Sequence, residues 1–493
     1  MPEEGLEPTG IVITRRGAAR RRARDLDSLS CNSVPKGDGD WSSSLSFPGT
    51  VILRRIAWLL SRGRSAWLIA ALLALGAFLV PATAQASFTS PVYLSDTFQN
   101  AEEPQVALSG TGVGLGVWDR SDGTNTRVQI RSRASNGTLG SVQTLSAAGQ
   151  NAFSPQVAFN PTGTGIIVWT RSDGTNDRIQ AVTRSSTGVL GSVLTLSDPL
   201  RNAETAQVAI DGNGNAIVVW ERFDGTNERI QEVQISSVGV VGPVQTLSPT
   251  GGDAFDPQVA VDGNGNALVV WSRFNSVQVV DKIQAVSVSA GGVVGTVQGL
   301  SAAPGDAEAP QVGVDSSGNA VVVWQHFDGS HERVQGRTRS SSGVLGTIKD
   351  LSVSGFDSFV PQVAVNPTGS GLVDWARFSS VCNCDRIQLV PFSSAGTVGT
   401  VQTISNTGAD DEEPQIGIAA NGNGVAVWSS FKASQENVFG RTRTAAGTLG
   451  SIQQLSTSGL AFSPQVAVNG NGNALADWTR TGTFDRIQAA AGP

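Results

Sequence analysis

Residues 207–248 read QVAIDGNGNAIVVWERFDGTNERIQEVQISSVGVVGPVQTLS. Gln207-Val-Ala-Ile210 is a short strand. Asp211-Gly-Asn-Gly-Asn215 is a turn, because Asn and Gly enter positive φ at little cost. Ala216-Ile-Val-Val-Trp-Glu-Arg222 is a second strand, apolar over most of its length, and Asp224-Gly-Thr-Asn227 is a second turn. Arg229-Ile-Gln-Glu-Val-Gln-Ile235 alternates as a half-buried strand does. After a turn within 236–242, Val244-Gln-Thr-Leu-Ser248 is a fourth strand, and the pattern restarts at Pro257-Gln-Val259.

The unit recurs eight times. Its Trp series is Trp118, Trp169, Trp220, Trp271, Trp324, Trp375, Trp428 and Trp478, spaced by 50 to 53 residues. Four short antiparallel strands joined by tight turns, repeated at this period, make a propeller blade. The last unit stops after its third strand, Arg486-Ile-Gln488, whereas Pro91-Val-Tyr-Leu-Ser95 matches a fourth strand with no blade of its own. Together they complete blade eight. A linear solenoid gives no reason for this offset and would need caps. The expected fold is therefore all-β: a closed eight-bladed β-propeller over residues 87–493, with tandem sandwiches of two repeats as the competing arrangement.

The preceding residues read differently. Arg54, Arg55, Arg62 and Arg64 lead into an apolar run from Ala66 to Val80, then Ala-x-Ala before Ser87. That is the pattern of a secretory signal peptide over residues 51–86, cleaved after Ala86. An uncleaved membrane anchor is the alternative, although a spanning helix needs about 20 residues. Residues 1–50 are polar, Arg-rich and aperiodic; they read as an extension upstream of a start at Val51, or as a disordered tail. The expectation is a secreted, extracellular monomer that meets the membrane only if the signal stays attached.

Formal net charge is −7. Residues 1–86 hold 11 of the basic and 7 of the acidic residues, so their removal takes it to −11. This argues against nucleic-acid partners and anionic lipid. Cys382 and Cys384 form Cys-Asn-Cys in a two-residue insertion, which suits a local disulfide or free thiols better than zinc.

The units resemble those of secreted bacterial β-propeller repeat proteins and, more loosely, FG-GAP and Asp-box propellers. The resemblance covers about residues 89–491 and is carried by the Pro-Gln-Val start, turns such as Asp262-Gly-Asn-Gly-Asn266, and the Trp. Asn stands where FG-GAP repeats place metal-binding Asp, and the turn precedes the second strand, unlike an Asp-box. The resemblance implies fold and export, not activity.

Each Trp ends an apolar strand and so belongs to the core. Arg follows two residues later in six blades (Arg120, Arg171, Arg222, Arg273, Arg377, Arg480), where stacking on the indole or pairing with a turn Asp is expected. The eight first-strand Gln, Gln105 through Gln465, are expected to hydrogen-bond between blades. Calcium wants six to eight oxygens. Asp211 and Asp262 supply one carboxylate per turn, Asp315 lies in a variant turn, and Asn421 and Asn469 replace it elsewhere, so hairpin turns are preferred and no cofactor is expected. His326 and His331 are repeat variants of blade five without a neighbouring nucleophile. Tyr93 is the only Tyr and lies on the closing strand, which disfavours a sialidase-like mechanism. Blade seven is the odd one, with Asn437-Val-Phe439 and Ser430 replacing Arg-Ile-Gln and Arg.

The turns between second and third strands and the connections between blades share one face of the disc. That face carries the acidic connectors Glu102-Glu103 and Asp410-Asp-Glu-Glu413. It also carries the candidate ligand-binding residues Asp122, Asn125, Asp173, Asn176, Asp224 and Asn227, whose acceptors and amide donors suit sugar hydroxyls. No residue is assigned as catalytic. The expected function is a non-enzymatic binding or scaffold module for a glycan or other cell-envelope ligand, by fold-level analogy. The alternative is a hydrolase, glycoside hydrolase included, with its site in the central channel.

Overall fold

The structure, a computed structural model, describes residues 87–302, 304–406, 408–457 and 459–493. The signal segment and the extension before it lie outside the described residues. Eight antiparallel four-stranded sheets follow one another: blades 1 to 7 span 101–144, 152–195, 203–246, 254–299, 307–350, 358–403 and 410–454. Blade 8 takes Ala461–Val468, Ala474–Arg480 and Arg486–Gly492 from the chain's end, and its outer strand, Val92–Tyr93, from before blade 1. The first strand of each blade touches the first strands on either side, and blade 1 meets blade 8, so the ring closes with the first strands innermost. This is a β-propeller.

The eight Trp are 0–1% exposed and are among the largest fully buried side chains. Each packs between its own blade and the one before. Trp220, for example, shares a cluster with Ile166 and Val168 of blade 2. Trp169 and Trp478 donate their indole N–H to the cross-strand Gln180 and Gln488. In four other blades the indole nitrogen and that Gln oxygen are both left over, each the other's cross-strand neighbour.

The Leu-Ser ending has a specific task. In all eight blades the Ser Oγ accepts a third-strand N–H at 2.9–3.0 Å, from Val128→Ser146 through Ile487→Ser95. The Arg of Arg-Ile-Gln adds a clamp: Arg127, Arg178 and Arg229 donate to the same Ser's Oγ and carbonyl. Ser95 and Leu94 perform these roles across the closure, where Leu94 N–H donates to Ile487 O at 2.8 Å and Leu94 is 1% exposed.

Two expectations are corrected. The Arg after Trp holds neither indole nor turn Asp. It reaches the inter-blade connector instead, as in Arg120→Thr97 O and Arg273→Thr250 O, with Arg222 pairing the connector's Asp198 at 3.5 Å. The first strand also starts three residues before the Pro, at Ala101 in blade 1, and each Pro follows a β-bulge. A bulge is where a strand tolerates the missing N–H.

Deleting residues 87–96 leaves blade 8 with an unpaired edge and removes Leu94 and Ser95. The expected outcome is a large fall in melting temperature; an unchanged value would mean that this strand does not close the ring. Trp220→Ala should cost about 3–5 kcal/mol in a denaturant titration, as large-to-small core changes do.

Candidate functional site

The innermost strands position the site. At each bulge the residue before the Pro, or before Ala206 in blade 3, has positive φ: Glu103, Ser154, Thr205, Asp256, Ala309, Val360, Glu413 and Ser463 lie between 49° and 56°. The bulge swings that residue's N–H out of the ladder, and in every even blade the preceding odd blade answers it. Glu103 accepts from Ser154 N–H (3.1 Å), Glu221 from Asp256 (2.8 Å), Gln325 from Val360 (3.4 Å) and Glu413 from Ser463 (2.7 Å). The ring is thus four pairs of blades, 1–2, 3–4, 5–6 and 7–8.

The same alternation governs the channel mouth. The residue before each bulge is Glu in odd blades (Glu102, Glu204, Glu308, Glu412) and Phe in even blades (Phe153, Phe255, Phe359, Phe462). The four Phe are half-exposed; three of the four Glu are exposed. Sequence reading by single blades missed this, although the signal is in the chain at a two-blade period. Below the mouth, Gln105, Gln156, Gln207, Gln258, Gln311, Gln362, Gln415 and Gln465 are half-exposed and make no hydrogen bond among the described residues. The expected inter-blade bonds are therefore absent among the described residues.

Inter-blade bonds come instead from the residue just before the first strand, or from its first residue, Asp410, in blade 7. Seven times an Asn or Asp there accepts the N–H at the start of the preceding blade's third strand, at 2.8–3.2 Å. This latch gathers carboxylates. At the 4–5 junction, Asp281, Asp306 and Glu308 bring oxygens within 4.8 Å of one another, and Asp385, Asp410 and Glu412 are their counterparts at the 6–7 junction.

Crowding shows in the titration. Burial, then Glu103 and Glu102, push Asp119 up to about 8. Burial, then Asp281, Asp306 and Glu332, push Glu308 to about 7, and Glu308 shares a hydrogen bond with Asp281. Asp385, beside Glu412 and Asp410, and Glu436, beside Glu413 and Glu412, also reach about 7, burial being the larger cause in each. Glu221 is held at about 7 chiefly by burial.

The six residues expected to bind ligand lie on this face, one strand further out. Asp122 Oδ1 accepts the N–H groups of Thr124 and Asn125, and Oδ2 pairs with Arg127 at 3.1 Å; Asp173 and Asp224 repeat this with Arg178 and Arg229. Asn125, Asn176 and Asn227 donate to Asn151, Pro199 and Asp253 of the neighbouring connectors. These groups hold the hairpins and adjacent blades. Asp211 and Asp262 likewise cap their own turns. His326 Nδ1 lies 2.9 Å from the Asp306 carbonyl, holding the connector as the replaced Arg does. Cys382 and Cys384 are joined in a disulfide with Cα atoms 5.2 Å apart.

No family model and no curated protein matches the chain. Solved structures resemble the chain at low identity. A protein of unknown function from Dyadobacter fermentans has 9% identity and a TM-score of 0.40, with 83% of this chain and 99% of that one covered. The β-propeller domain of the trilobed protease from Pyrococcus furiosus has 10% identity and a TM-score of 0.44, covering 74% and 97%. An ulvan lyase, a polysaccharide lyase, has 9% identity and a TM-score of 0.44, covering 73% and 98%.

The raised carboxyls fix a pH dependence. Each keeps its proton in the fold above the pH, near 4, at which it ionises in the unfolded chain. The folded state then binds more protons, so this stability is complete below about pH 4 and is lost as pH rises to the folded values of 7–8. Melting temperature should fall steadily from pH 5 to pH 8; a rise over that interval would contradict the crowded mouth.

Proposed function

We propose that the protein is an exported, non-enzymatic binding module whose ligand is a glycan, docked at the channel mouth. The observation that carries this is the alternation of four Glu with four half-exposed Phe around the innermost strands. A sugar offers a C–H face, which packs on an aromatic ring, and hydroxyls, which donate to carboxylates. Alternation sets both groups side by side four times, making four equivalent subsites. The half-exposed Gln of the same innermost strands add polar groups further along them. A cell-envelope polysaccharide, with repeated sugars, suits a repeated site.

The test is glycan-array binding of residues 87–493, followed by titration of any hit. Phe153→Ala with Phe255→Ala should weaken binding by tenfold or more, while Asp122→Ser, Asp173→Ser and Asp224→Ser together should leave affinity unchanged. The reverse result would put the ligand on the outer turns. A second reading, glycan cleavage, draws on Glu308, a carboxyl near 7 beside Asp281, as a general acid requires. Release of reducing ends from a bound polysaccharide, abolished by Glu308→Gln with binding retained, would establish it.

A further inference from the structure

Two carboxylic acids take no part in the mouth. The residue before the core Trp is Val117, Val168, Val219, Val270, Val323 or Val427 in six blades, and Asp374 or Asp477 in blades 6 and 8. The valines are fully buried in the contact with the following blade, as Val323 is against Val373 and Trp375. Asp374 and Asp477 are equally buried, at 0% exposure, and none of their four carboxyl oxygens has a hydrogen-bond partner.

Each faces an apolar seam, and the Gln amide paired beside it across the strands makes no hydrogen bond to it. Asp477 pairs across strands with Gln465 and Ala489, and its Oδ2 lies 3.6 Å from where a Cβ on Gly116 of blade 1 would stand, near Leu94 and Trp118. Asp374 pairs with Gln362 and Leu389, and the seam it faces holds Ala426 and Trp428 of blade 7. No charged group acts on either, and burial alone holds both carboxyls well above the usual carboxylate range. The facing residues are small, Gly116 and Ala426, where five of the other six junctions have Val or Ile. Substitution has therefore occurred on both sides of each seam.

We propose that the junctions between blades 6 and 7 and between blades 8 and 1 are proton-operated seams, closed while Asp374 and Asp477 are neutral and parted when they ionise. A carboxylate in such a site has no counter-charge and only its own backbone N–H as a donor, so ionisation is met by opening the seam to water. The two seams bound one of the four blade pairs, blades 7 and 8. Opening both frees that pair to move against the other six blades and widens the mouth. The sign follows from the protons: the closed seam binds one more proton than the open one. Its stability is complete below about pH 4 and falls tenfold in closing equilibrium per pH unit and per carboxyl until the closed-state value is reached.

The test is hydrogen exchange read by mass spectrometry on residues 87–493 from pH 5 to 8, corrected for the intrinsic effect of pH. Strands Gly114–Ser121, Gly424–Lys432 and Ala474–Arg480 should lose protection about tenfold per pH unit, against little change in Ala216–Phe223. In Asp374→Val with Asp477→Val, which installs the residue of the other blades, that dependence should vanish at the seams. The mouth carboxyls, unchanged, remain an internal control. Asp374→Asn with Asp477→Asn, neutral and of equal size, should behave the same way should the valines pack poorly. PH-independent seams in the unaltered protein, or equal pH dependence in the variants, would overturn the proposal.

Discussion

A radial blade has two apolar faces and can bury neither alone, so every blade depends on a neighbour at each side. The Trp of one blade fills the seam with the blade before, eight times over, and the requirement ends only when the ring closes. Closure falls to a two-residue strand, Val92–Tyr93, and the Leu94-Ser95 that follows it. Exposed strand residues contribute little by themselves; the buried Leu94 and the Ser95 hydroxyl carry the join. The Ser latch there is the same bond that finishes every other blade, so closure uses a contact already repeated seven times.

Polar groups vary mainly where they do not interrupt that packing. Asp374 and Asp477 apart, the residue before the Trp in the second strand is always Val, while the bulged starts of the first strands, lying at the mouth, diverge blade by blade. Divergence is ordered: the odd blades supply an acceptor and the even blades present a bulge N–H. A left-handed residue before a proline is a costly conformation. The neighbouring Glu or Gln offsets part of that cost by satisfying the displaced donor in four of the eight blades.

The blade pattern, the Trp core and the closing strand were legible because each rests on local periodicity and on the chain's own ends. The channel was less legible. Pro-Gln-Val looked like the start of a strand, since a bulge leaves no mark in sequence beyond the Pro itself. The first-strand Gln looked like inter-blade bonding groups, but the Asn or Asp before the strand already takes the available N–H. For the Arg after Trp the sequence suggests the indole or a turn Asp as partner, because the connector's carbonyls come near it only once the blade is folded. The Asp-Gly-Thr-Asn turns stand out in sequence as repeated, and in the structure the Asp holds its own hairpin while the Asn reaches the neighbouring connector. The Glu/Phe alternation was readable at two-blade spacing, a comparison that a single-blade period conceals.

Blade seven shows how a change in one polar contact spreads. Asn437 replaces the clamping Arg, and Phe439 replaces the Gln beside Trp428 and stacks on it at a centroid distance of 6.3 Å. Without that Arg, Asn437 takes up Gln454 at 3.0 Å. The Arg after Trp is also gone. Ser430 stands there, and its cross-strand partner is Asp411 in place of the usual Ala. Asp411 is buried, hydrogen-bonded by Ser405 and Ser430, and held above its usual range chiefly by burial. These changes lie on the blade-seven side of the seam that Asp374 faces. The junction with the most altered clamps is therefore one of the two that carry an unpaired acid. Weaker clamping lowers the cost of parting the blades, so a single proton can decide between a closed and an open seam only where the rest of the junction has already been loosened.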